Sequence, residues 1–144
     1  MNDSRITFWT NPTTISTNTT TNGPTVDVFG SVGVAGSHIT GTGIESDGYG
    51  VRVQIVPTGT AFNLVVKVQE SANDSDWYDL KTLWSGDPVA TLVGSKITIE
   101  SMVAPSRRYI RLAIVSTNIS AESAVVNAWI TDVGHDIGIT VRYA

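Results

Sequence analysis

Apolar and polar positions alternate with a period of two along much of this chain, and that period belongs to a half-buried β-strand. It is clearest in "RRYIRLAIVS", where Ile110, Leu112 and Ile114 share one face and Tyr109, Arg111 and Ala113 share the other. In "FNLVVKVQ" the residues Phe62, Leu64, Val66 and Val68 line one side, with Val65, Lys67 and Gln69 opposite. The pattern predicts one core face, and a second face open to solvent or to a partner. No window has a convincing helical period. Short β-type runs recur between Gly, Pro, Asn and Asp clusters, at the spacing of a sandwich or barrel, and they number about eight. They cover 26–29, 37–41, 50–56, 62–70, 77–84, 96–102, 108–116 and 124–133, and a ninth at 137–142 can close the C-terminus. The predicted fold is all-β: an antiparallel β-sandwich, jelly-roll-like, with residues 26–144 forming the domain.

Residues 1–25 fall outside that pattern. "TNPTTISTNTTTNGPT", 10–25, holds a single large apolar residue and ends in the breaker sequence Asn22-Gly23-Pro24. It reads as an extended N-terminal arm or linker. Ahead of it Ile6, Phe8 and Trp9 are too apolar for a free tail, so they are expected to dock, either on a partner or on the sandwich itself as an extra edge strand.

Composition agrees with this outline. Val, Ile and Thr abound, and their branched side chains fit a pleated surface. The chain of 144 residues is long enough to bury a core without staples, and it has no cysteine, so neither a disulfide nor a cysteine-based zinc site is available. A formal charge of −4, with only 15% of residues charged, gives no cationic footprint for phosphate backbones, so nucleic acid is not an expected partner. No apolar run approaches the length of a membrane span, and the opening residues lack the apolar run of a signal peptide.

Candidate chemistry concentrates in "VVKVQESANDSDWYDL", 65–80, which combines Glu70, Asp74, Asp76 and Asp79 with Trp77 and Tyr78. Read as a calcium loop starting at Asp74, it has Asp79 and Ser85 where an EF-hand needs Gly and Glu; a solvated hairpin with its turn at Asn73 to Asp76 fits better. Glu70 and Asp79 could serve as a glycosidase pair only across a shared cleft. Ser71, Asp74 and Trp77 partly echo the structural Asp-box hairpin without its Gly and Thr. Trp9, Trp77, Tyr78 and Trp84 could stack on sugar rings, although core or interface packing is the commoner use of such side chains. The glycine-rich run Gly30 to Gly43 lacks the Lys-Ser/Thr of a phosphate loop, and His38 and His135 have no nucleophile elbow beside them, so no catalytic team is visible. Arg107, Arg108 and Arg111 place three cations in five residues, either a solvated strand entry or an anchor for carboxylates of a partner.

Taken in order, "STN" before "VDVFG", then the 65–80 stretch, then "GSKITIESMVAPSRRYIRLAIV", the chain resembles the Bbp16-like capsid cement proteins of tailed bacteriophages. The resemblance is carried by Gln69, Ser71, Asp74, Trp77, Asp79, Leu80, Gly94, Pro105, Arg108, Tyr109, Arg111 and Leu112, over about residues 60 to 132. It implies a non-enzymatic, jelly-roll-like head decoration protein without cofactors or metal. Made in the host bacterial cytoplasm, it would sit on the capsid exterior and bridge major capsid protein subunits. A homo-oligomer, dimer ahead of trimer, is expected because a second apolar-bearing face and sheet edges remain to be covered. Within that scheme Gln69, Ser71, Asp74, Trp77, Asp79 and Leu80 form a structural hairpin, with Trp77 and Leu80 pinning it to the sandwich, while Ile6, Phe8, Trp9, Arg107, Arg108 and Arg111 are the expected partner interface. A carbohydrate- or receptor-binding module of a virion is the alternative.

Overall fold

The computed structural model describes residues 12–27, 49–89, 96–103, 106–131 and 140–143. Ten strands run through them: β1 Thr13–Ile15, β2 Thr20–Asn22, β3 Val26–Asp27, β4 Tyr49–Thr58, β5 Asn63–Ser71, β6 Tyr78–Gly86, β7 Ile97–Val103, β8 Tyr109–Thr117, β9 Ser123–Thr131 and β10 Thr140–Tyr143. No described helix is long and apolar enough to cross a membrane. The expected run at 37–41 and the expected anchors Ile6, Phe8 and Trp9 lie outside the described residues.

The strands form two antiparallel sheets, ordered β1-β9-β4-β7-β10 and β2-β8-β5-β6, with β3 also pairing β8. Apart from the β5–β6 hairpin and the β2–β3 step, each connection among β1 to β9 passes from one sheet to the other. That is the strand order of a jelly roll, with β10 added outside β7.

The two-residue period explains the layers. Val51, Val53 and Ile55 of β4, Ile97 and Ile99 of β7, and Ala124, Val126 and Ala128 of β9 turn inward from the first sheet. Leu64, Val66 and Val68 of β5 and Ile110, Leu112 and Ile114 of β8 face them from the second, joined by Phe62 just ahead of β5. These side chains are buried because a sheet with one apolar face is stable only when that face packs on another.

Strand β6 departs from simple alternation. Its register against β5 shifts between Val66 and Lys67 and again between Val68 and Gln69, and each shift leaves one extra residue on β6, first Leu83 and then Leu80. Both leucines turn toward the core, Leu83 fully and Leu80 partly buried. The two bulges add twist at the sheet edge, which makes β6 a poor template for pairing with another strand.

The segment 12–25 corrects the expectation of a linker. Thr13–Ile15 pairs with β9 and Thr20–Asn22 with β8, so the chain enters both sheets before residue 26. Ile15, its one large apolar residue, is only 2% exposed. Between the strands, the Asn18 side chain copies a backbone pairing: the Ile119 amide donates to Asn18 Oδ1 at 2.7 Å and Asn18 Nδ2 donates to the Ile119 carbonyl at 3.2 Å. The Gly23 amide then donates to the Leu112 carbonyl at 2.8 Å. Threonine-rich composition misled because these strands are held mainly by main-chain bonds, which need no apolar side chain.

Candidate partner-binding surface

Strand pairing brings the hairpin and the arginines together. Gln69 on β5 lies opposite Asp79 on β6 and opposite Arg111 on β8, so the three side chains form a row across the outer face of the second sheet. Arg111 Nε donates to Gln69 Oε1 at 2.9 Å, and Gln69 Nε2 donates to Asp79 Oδ1 at 2.9 Å. Lys67, two residues before Gln69 on the same face, donates to Asp79 Oδ2 at 3.0 Å. The Gln69 and Lys67 hydrogen bonds hold the Asp79 carboxyl below its usual range, because both favour its charged form.

Trp77 completes this row. The Arg111 guanidinium carbon stands 4.2 Å from the centroid of the Trp77 ring, close enough for a cation–π contact. Partial burial pushes the Arg111 pKa down, and the charge of Asp74 acts in the opposite direction. Arg108 stacks over the neighbouring Tyr109 at 5.1 Å.

Arg107 belongs to a different place. Its guanidinium lies 4.3 Å over the Tyr78 ring, and its Nε is 3.6 Å from Glu70 Oε1. Glu70 follows the core parity of Val68, and its nearly buried carboxylate accepts from the Ser106 amide at 2.9 Å and from the Ser106 hydroxyl. It therefore ties the loop before β8 to the end of β5. Glu70 and Asp79 consequently point to opposite faces of the sheet, which takes them out of any common cleft.

The hairpin turn is built by Asn73, whose Oδ1 accepts from the amides of Ser75 at 3.0 Å and Asp76 at 2.8 Å, while Asp74 takes a left-handed φ of 61°. Asn73 Nδ2 donates to Asp76 Oδ2, and the Thr25 hydroxyl donates to Asp74 Oδ1 at 2.7 Å, which fastens the turn to the segment between β2 and β3. Ser71, fully buried, exchanges hydrogen bonds with Asn73. Leu80 packs against the core, whereas Trp77 stacks with Arg111. Among the described residues no group of three His, Cys, Asp or Glu side chains is placed to hold a metal ion.

Gln69, Trp77, Asp79 and Arg111 were all legible as candidates in the sequence, but their contact was not. Period-two parity already placed Lys67 with Gln69 and Tyr109 with Arg111 on the second face; what it did not give was the pairing of Lys67 with Asp79 or the stacking of Arg107 on Tyr78. A second paired row on the first sheet also escaped notice: Arg52 Nη2 is 2.8 Å from Glu100 Oε1 and its guanidinium stands 5.8 Å from the Trp129 ring. No protein-family profile matches this chain, and no curated protein matches it.

Proposed function

We propose that this chain is a decoration, or cement, protein of a tailed-bacteriophage head, which binds the exterior of the assembled capsid and bridges neighbouring major capsid subunits. The observation that carries this reading is the row Asp79–Gln69–Arg111 with Trp77. Residues of the resemblance that lie as far as 42 positions apart form one bonded unit on an outer sheet face. A non-catalytic role suits a surface built of stacked arginines, and many equivalent sites on a head multiply a modest single-site affinity. The jelly-roll strand order, common to viral capsid proteins and lectins, is compatible with it but is not specific to it.

As part of the same reading the protein is a homo-oligomer, a dimer ahead of a trimer. Val56 and Val125, direct neighbours across β4 and β9 and 42% and 39% exposed, offer an apolar patch for such contact. The alternative glycan-binding role is less well supported, because a guanidinium already covers one face of Trp77 and of Tyr78. The test is co-sedimentation of the purified protein with heads assembled without it. Saturable binding to expanded heads supports decoration. Absence of binding, together with capture on a glycan array, transfers the assignment to the carbohydrate-binding alternative.

A further inference from the structure

Arg111 differs from Arg107 in the acceptor that faces its Nε, a neutral amide instead of a carboxylate. Arg107 is committed to the Glu70 carboxylate. Arg111 is bonded only through Nε, to the neutral amide oxygen of Gln69, and is supported from one side by the Trp77 ring. The guanidinium is thus held at Nε and on one face while its two terminal amino groups have no hydrogen-bond acceptor among the described residues, although the charge of Asp74 acts on it; a carboxylate engages such a pair of groups with two parallel hydrogen bonds.

The surroundings narrow the occupant further. Asp74, Asp76 and Asp79 are exposed around the same hairpin, and the chain carries a net charge of −4, so a polyanion such as a nucleic-acid backbone is repelled. A single carboxylate, docking at short range, meets Arg111 without incurring that repulsion in full. Lys67 does not compete for it, because its ammonium is taken by Asp79. Gln69 has a positioning role: its oxygen holds Arg111 and its amide nitrogen is held by Asp79, so the row sets the direction of the fork.

Building on the decoration reading, we infer that Arg111 is the recognition residue of the outer sheet face, and that its Nη1–Nη2 edge seats one aspartate or glutamate side chain of the major capsid subunit while Trp77 is covered by the same contact. Lysine at position 111 would keep the charge but lose both the fork and the stack. A carboxylate at position 69 would satisfy the guanidinium internally, at the cost of the donor that Gln69 gives Asp79, so the melting curve of Gln69→Glu is read beside its binding.

The experiment compares the wild type, Arg111→Lys and Gln69→Glu for binding to undecorated heads, with melting curves to confirm that each is folded. In parallel, the Arg111 guanidinium resonances of the free protein are followed by NMR during titration with acetate, against chloride at equal ionic strength. The proposal expects both variants to bind heads at least about tenfold more weakly than the wild type, since losing one partner of a desolvated charge pair slows association little and speeds dissociation strongly. It also expects a saturable acetate shift in the wild type that is lost in Gln69→Glu. If the wild type binds heads and both variants bind equally well, the Arg111 proposal is overturned and decoration stands. If the wild type ignores heads but responds to acetate through Arg111, the carboxylate seat stands and the capsid is removed as its occupant. Failure of both measurements removes both.

Discussion

Gly59 and Glu122 meet so closely, at the end of the sandwich where β4 turns into β5 and β8 into β9, that a Cβ on Gly59 would lie 2.8 Å from Glu122 Cγ and 3.1 Å from Glu122 Cα. Gly59 has φ of +109°, a conformation that side chains rarely adopt. Gly59→Ala is therefore expected to lower unfolding stability by about 1–3 kcal/mol through backbone strain and crowding together. Urea denaturation checks this, and an unchanged midpoint would show that the turn relaxes freely.

Glu122 itself makes the fold sensitive to acid. Its carboxylate accepts from the Thr60 hydroxyl at 2.6 Å and from the amides of Ser120 and Ala121, and these bonds pull its pKa from 4.5 down to about 2, the Thr60 bond contributing most. A depressed folded-state pKa means that the unfolded chain takes up the proton first. The stabilisation is therefore complete above the unfolded value and is lost as pH falls from about 4.5 toward 2. Glu122→Gln should be less stable than wild type near neutral pH, with the gap narrowing through that window. A gap that stays constant down to pH 2 would contradict the assignment.

Strands β1 and β2 are expected to be required for folding. Ile15→Ala removes a buried side chain and should cost about 2–5 kcal/mol. Removing residues 12–22 should unfold the domain or lower its melting temperature strongly, because it strips β9 and β8 of pairing partners and opens the core at Ile15. A shortened chain that melts like the full one would show that these pairings carry little stability.

Glu70 should act as a structural tie at the end of the second sheet. Glu70→Ala leaves the Ser106 amide and hydroxyl without their acceptor and Arg107 without its counter-charge. A loss of about 1–3 kcal/mol is expected for such orphaned, part-buried donors. The midpoint in denaturant should move with little change in slope.

Divalent metal is expected to be irrelevant to stability. The hairpin carboxylates are engaged separately, Asp74 by Thr25, Asp76 by Asn73 and Asp79 by Gln69 and Lys67. Melting curves with and without chelator should coincide. A fall of several degrees in chelator would reveal a ligand bound to the native state alone.

What this sequence by itself determined was the all-β class and the identity of the core face. The parity of Ile110, Leu112 and Ile114, and of Leu64, Val66 and Val68, is a local property, since successive side chains on a strand point to opposite sides whatever lies beside it. The turn at Asn73 was legible for the same reason: an Asn side chain bonds its own neighbours. Only the tertiary structure decided which strands pair and in what register, because that depends on contacts between distant residues. Gln69 meets Arg111 because β5 and β8 are neighbours in one sheet, and nothing near either residue in the chain encodes the match. The strands hidden in the Thr-rich segment were illegible on the same grounds. Thr13–Ile15 and Thr20–Asn22 carry almost no apolar pattern, and they become strands because the exposed main-chain edges of β9 and β8 are there to receive them.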